Sequence, residues 1–280
     1  MKKYFVLFIS FFCVVVLYLG HQHWKNKTVS ARVEGEKISE MYLEKNNGER
    51  IKLIESLNST AIKKQSLIDF LRYKSLTEDK ASIAVLGSNL TAGTGASNTN
   101  LAWSQLLKRN LQSKYQELKA IKLLNYGFEG YSTDDLLKGK KIDALIKEQP
   151  DLVIFENSMH NNYSQSITIQ KSVKDLTEIM DKVQRELPNA KIIIMSPNPI
   201  ANSKNKNSLG LEFSDYIRAS ENIINKNKWT YINCIEEINK KVKAENVLLV
   251  DILANDYLHP NDKGHFIISE VLTNFLEKSS

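Results

Sequence analysis

Residues 83–96 read IAVLGSNLTAGTGA: an apolar run from Ile83 to Leu86 stops at Gly87 and passes through Ser88 and Asn89 into a glycine-punctuated turn. A run with no polar residue at alternate positions suits a strand covered on both faces, and the glycines allow a tight turn from strand to helix. So short a run does not separate strand from helix by itself, so its neighbours decide. Comparable runs recur at Ile121–Leu124, Leu152–Phe155, Ile192–Met195 and Tyr231–Cys234, with Val247–Val250 a candidate sixth. Between them lie amphipathic stretches at 101–118, 133–147, 167–187, 213–225 and 262–276. Apolar strands alternating with helices predict an α/β domain built on a parallel sheet, and ligands of such sheets bind outside the carboxyl ends of the strands.

The loops at those ends are where chemistry is expected. Exposed amides in the loop from Gly87 to Ala96 suit an oxyanion or a phosphate. A phosphate loop would end in Gly-Lys-Ser/Thr and a dinucleotide turn would read Gly-x-Gly-x-x-Gly; neither is present. Asn125-Tyr126-Gly127-Phe128-Glu129-Gly130 follows the second run, and Glu156-Asn157-Ser158-Met159-His160-Asn161-Asn162 follows the third. Near the carboxyl terminus stands Asp256-Tyr257-Leu258-His259-Pro260-Asn261, a spacing that lets the carboxylate hold one imidazole nitrogen while the other faces a nucleophile.

Taken in order, the four blocks resemble the SGNH/GDSL hydrolase family of lipases, acylhydrolases and esterases, over about residues 81–280. That resemblance implies a flavodoxin-like three-layer α/β/α sandwich on a five-stranded parallel sheet of order 2-1-3-4-5. It also implies roles: Asp256 and His259 as triad members, Gly130 as the glycine of the oxyanion hole and Asn161 as its asparagine, with His160 taking that place if the block slips by one. The first block departs from the pattern, because Asn89 stands where the family has its serine nucleophile. A carboxamide nitrogen shares its lone pair with the carbonyl and does not form an acyl-enzyme. Ser88 or Thr91 could supply the hydroxyl instead, or His259 could act on water, or the cleft could serve as a ligand-binding or scaffold module. The implied activity is hydrolysis or transfer of an O-acyl ester on a cell-envelope polysaccharide, a lipid or a small acylated molecule, and no metal or organic cofactor is implied.

The remaining features concern placement. Lys2 and Lys3 precede a nearly unbroken apolar run from Tyr4 to Leu19, and no small-residue cleavage site follows it. An uncleaved anchor over residues 1–28 is therefore expected, with the domain on the extracytoplasmic side as a single-pass membrane protein and Trp24 at the interface. Residues 29–80 read as a polar stalk followed by amphipathic helix, with Ile51, Ile54, Leu57, Ile62, Leu67, Ile68 and Leu71 at roughly helical spacing. Cys13 and Cys234 offer no disulfide within the domain. The net charge of +6 favours anionic surfaces, but the lysines are scattered and carry no nucleic-acid motif. His21 and His23 lack further ligands for a zinc site. Glu156 reads as a hydrogen-bonding acid or a second carboxylate, His265 as a packing residue, and Trp103 and Trp229 as core.

Overall fold

The computed structural model describes residues 2–58 and 65–278. It divides into two compact units, Met1–Ser56 and Leu57–Ser280. The first is helical: α1 runs from Lys2 to Leu57. Most of its described apolar side chains, among them Phe11, Leu17 and Trp24, are exposed, whereas Leu53 and Ile54 are half-buried. Among the described residues no helix is long and apolar enough to cross a membrane. This corrects the expected single-pass, extracytoplasmic placement. The physical reason is length: the 16-residue run from Tyr4 to Leu19 makes about 24 Å of helix, against a hydrocarbon layer of about 30 Å. Ile62, part of the expected amphipathic helix, lies outside the described residues.

The second unit alternates as the sequence predicts. Its elements are α2 (Leu67–Glu78), β1 (Ser82–Gly87), α3 (Asn89–Ala92), α4 (Trp103–Lys114), β2 (Lys122–Gly127), α5 (Thr133–Lys138), α6 (Lys141–Lys147), β3 (Leu152–Glu156), α7 (Met159–Ser164), α8 (Ile169–Glu186), β4 (Lys191–Met195), α9 (Phe213–Asn227), β5 (Tyr231–Ile232), α10 (Cys234–Ala244) and α11 (Asp262–Glu277). The five strands form one sheet in the order β2-β1-β3-β4-β5. Every pairing is parallel, with Ile83 beside Leu123 and Leu152, and Ile154 beside Ile193.

Alternation along each strand builds two cores. Ile83, Val85, Leu152, Ile154, Ile193 and Met195 face one layer, where they meet side chains of α2, α4, α10 and α11. Ala84, Leu86, Val153, Phe155 and Ile194 face the other, against α5, α6, α8 and α9. Because both faces are covered, the central strands are apolar throughout except at an end, where Ser82, Glu156 and Lys191 stand. Helix starts are marked by caps: the Ser132 and Asp135 capping box opens α5, Thr168 caps α8 and Asn261 caps α11 through the Gly264 N–H.

Three local expectations change. The candidate sixth strand at 247–250 is not one; a 3-10 turn spans Leu249–Ile252, and Leu248 and Val250 are exposed. The stretch 133–147 is two helices, since Gly139 ends α5 and Lys140 takes a positive φ of 53° before α6. The run ending at Cys234 is strand only as far as Ile232; Asn233 then caps α10 by accepting from the Glu236 N–H.

Candidate active site

In the strand order, β1 lies between β2 and β3, so the loops leaving β1 and β3 part on opposite sides and open a crevice at their carboxyl ends. Asn89 follows β1, Gly130 follows β2, Asn161 sits in α7 after β3, and Asp256 and His259 lie in the loop before α11. Hydrogen bonds join all five.

The Asn89 carboxamide is at the centre. Its Oδ1 accepts from the Gly130 N–H at 2.5 Å and from Asn161 Nδ2 at 3.2 Å. Its Nδ2 donates to His259 Nε2 at 2.8 Å. This orientation is the only one the neighbours accept, because the flipped amide would set its NH2 against two other donors. It also fixes the imidazole tautomer: Nε2 accepts, so the proton is on Nδ1, which donates to Asp256 Oδ2 at 2.6 Å. Asp256 Oδ1 accepts from the backbone N–H groups of Leu258 and His259 at 2.9 and 3.0 Å. Burial opposes ionisation of Asp256, but the His259 ring and these two amides outweigh it and hold the carboxyl down at about 2.

The supports of this ring of bonds come from three loops. Gln165 Nε2 donates to the Gly130 carbonyl at 2.6 Å, and Asn161 Nδ2 donates to the Tyr131 carbonyl at 3.0 Å. Gly130 is needed for its φ of +77°, since a Cβ there would meet nothing within 4 Å. Close approach does not explain a glycine at this position. It does apply at Gly95, where a Cβ would strike the Pro260 carbonyl oxygen and come within 3.1 Å of the His259 Cβ, at a φ of +96°. Gly95→Ala is expected to push the His259 loop outward and to cost about 1–3 kcal/mol of stability. Urea unfolding measures the cost, and a moved His259 ¹⁵N resonance reports the displaced ring; unchanged spectra would refute it.

Ser88 and Thr91 are not brought to His259. Ser88 is buried, and its Oγ donates to Glu156 Oε2 at 2.8 Å, the oxygen that also accepts the Ser88 N–H at 2.9 Å. Thr91 Oγ1 points to the Leu86 carbonyl. Glu156 is fully buried and takes a third bond from the Ser158 N–H at 2.9 Å. Burial raises its pKa while the Ser88 and Ser158 donors pull against the rise. It therefore ties the end of β3 to the turn that presents Asn89.

His160 packs edge-on against both His259 and Phe213, with ring centroids 5.8 Å apart and planes at 90° in each pair. Its Nε2 is buried without a hydrogen-bond partner. Burial, and after it the neighbouring His259, lower its pKa to about 4. Sequence reasoning weighed His160 only as a substitute for Asn161 and missed this packing; Gln165 carried no signal at all. His265 is structural, accepting the Trp103 N–H at Nδ1 and donating from Nε2 to the Thr94 carbonyl. Trp103 is fully buried with its Nε1 on the Leu90 carbonyl, and Trp229 packs half-buried against the second core. Among the described residues no group of three or more His, Cys, Asp or Glu side chains could hold a metal ion.

A family model described as the GDSL-like lipase/acylhydrolase family matches residues 85–267. A solved structure of a putative GDSL-like lipase from Parabacteroides merdae is similar over 70% of this chain and 95% of its own, with 16% identity and a TM-score of 0.58. An acetylxylan esterase from Geobacillus stearothermophilus is similar over 71% of this chain and 95% of its own, at 18% identity and a TM-score of 0.56. A two-domain esterase active on acetylated mannans, crystallised with mannopentaose, is similar over 75% of this chain and 55% of its own, at 18% identity and a TM-score of 0.57. No curated protein matches.

Proposed function

The chain belongs to the GDSL-like lipase/acylhydrolase family, and from that premise we propose that residues 81–280 form an esterase-type site for O-acyl groups on a glycan or lipid, in a form that holds its ligand without forming an acyl-enzyme. The observation that carries this is the engagement of Asn89. Its oxygen takes the Gly130 and Asn161 donors that would stabilise a developing oxyanion. Its NH2 takes the His259 Nε2 lone pair that would accept a nucleophile's proton. One side chain thus occupies both the hole and the base, and offers no nucleophile in exchange.

The intact Asp256–His259 pair favours one alternative. With Asn89 turned aside, His259 would take a proton from water and hydrolyse the ester directly. Acyl transfer would follow the same geometry with an alcohol in place of water.

Stopped-flow hydrolysis of p-nitrophenyl acetate and labelling by a fluorophosphonate separate these outcomes. The expected result is no burst and no added mass. Slow, linear hydrolysis that disappears in His259→Ala would establish the water route. A burst with an adduct mapped to Ser88 would overturn the proposal in favour of a displaced nucleophile.

A further inference from the structure

Tyr257 stands inside the Asp256–His259 loop in a conformation its side chain disfavours. Its φ is +58°, in the left-handed region where a Cβ crowds the carbonyl that follows. Eight non-glycine residues among those described share positive φ; seven are Asp, Lys, Gln, Ser or Asn, and Tyr257 brings the one aromatic ring. Its backbone is held there from both sides. The Tyr257 N–H donates to the Ala254 carbonyl at 2.9 Å, and its carbonyl accepts from the Ala201 N–H at 3.2 Å. Asn198 Nδ2 fixes the next residue by donating to the Leu258 carbonyl at 2.7 Å. Glycine or asparagine would adopt this backbone more readily.

Tyr257 is 51% exposed, so about half of it stays open to solvent. An aromatic residue two positions before His259 is thus kept partly open to solvent at a cost in local conformation, and strain of this kind collects where ligands are met. A flat, amphipathic face suits the C–H face of a sugar, with the phenol left in water.

We propose that Tyr257 is a sugar-stacking platform that binds the glycan bearing the acyl group, so that the ligand is an O-acylated oligosaccharide and not a lipid. This rests on the O-acyl-ester site proposed above.

Calorimetric titration of the full chain with O-acetylated mannopentaose tests it on the wild type, Tyr257→Asn and Tyr257→Phe. Asparagine accepts the left-handed backbone but removes the ring, so affinity is expected to fall about tenfold or more. Phenylalanine keeps the ring and should bind within about twofold of wild type. Over the same set, Tyr257→Asn should raise Tm by about 2–4 °C as strain is relieved. A lost affinity with a lowered Tm would mark misfolding and overturn the assignment. Equal affinity in wild type and Tyr257→Asn overturns the platform and leaves the ester site standing. Binding of p-nitrophenyl butyrate without the oligosaccharide overturns the glycan alone, whereas a wild type that binds neither overturns the underlying site as well.

Discussion

Asn89→Ser is expected to raise kcat/KM on p-nitrophenyl acetate by on the order of a thousandfold or more over the wild type, and His259→Ala in the same chain is expected to remove the gain. The reasoning is geometric. Asn89 Nδ2 already lies 2.8 Å from His259 Nε2, so a hydroxyl on the same Cβ is directed toward the base. Loss of the carboxamide frees the Gly130 N–H and Asn161 Nδ2 for the substrate oxygen. His259 keeps its Nδ1–H on Asp256, so the tautomer needed to accept the serine proton is in place.

Asn89→Ala separates the two contributions of the substitution. It empties the hole without adding a nucleophile, and it should remain far below Asn89→Ser if the hydroxyl attacks. Equal rates in the two variants would instead assign the gain to water activated by His259. Activity in Asn89→Ser that survives His259→Ala would place the chemistry elsewhere. Stability should move the other way, because three hydrogen bonds of a half-buried side chain are given up for one, at about 1 kcal/mol.

How much of this was legible in sequence depends on how local each signal is. The central strands could be read because residues such as Ile154 and Ile193 are covered on both faces, which leaves no polar position in the pattern. Val247–Val250 imitates that pattern without the burial, since Leu248 is 67% exposed and only its neighbours reach the core. Helix α10 is hidden because Cys234 reads as the last residue of the preceding apolar run. Its signal was the spacing of Cys234, Ile238 and Val242, which places all three on one buried helix face.

At the site, Asp256 and His259 stand three positions apart in one loop, and their pairing follows from spacing. Gly130 and Asn161 arrive from separate strands, so only a resemblance could nominate them. What no pattern could supply is the direction of the Asn89 amide, which is set by donors 41 and 72 residues away along the chain. His160 shows the same limit: in sequence it is one histidine among asparagines, and in the fold it is the ring on which His259 rests.

Acid should weaken this domain progressively as pH falls from about 6.5 to about 4, and two buried histidines set the window. His265 is fully buried, and burial lowers it to about 4 from an ordinary 6.5. His160 is 9% exposed, and burial followed by the nearby His259 lowers it by the same amount. The unfolded chain therefore takes up protons near pH 6.5 while the folded chain resists until about pH 4. Stability from each histidine is complete above the first value and is lost as pH falls through the second, at about 3 kcal/mol per residue. Two such losses rival the whole stability of an ordinary domain, about 5–15 kcal/mol. Structure says why neither ring tolerates the proton: His265 Nδ1 is already an acceptor for the Trp103 N–H, and His160 Nε2 has no acceptor in reach. Glu156 titrates against the trend, because burial raises its carboxyl and its contribution is lost as pH rises. The measure is therefore the difference between wild type and His160→Phe, which keeps a ring against His259 and Phe213. Urea midpoints at pH 7, 5.5 and 4.5 should show His160→Phe losing about half as much stability as wild type. If the two fall in parallel, His160 is not held neutral by the fold.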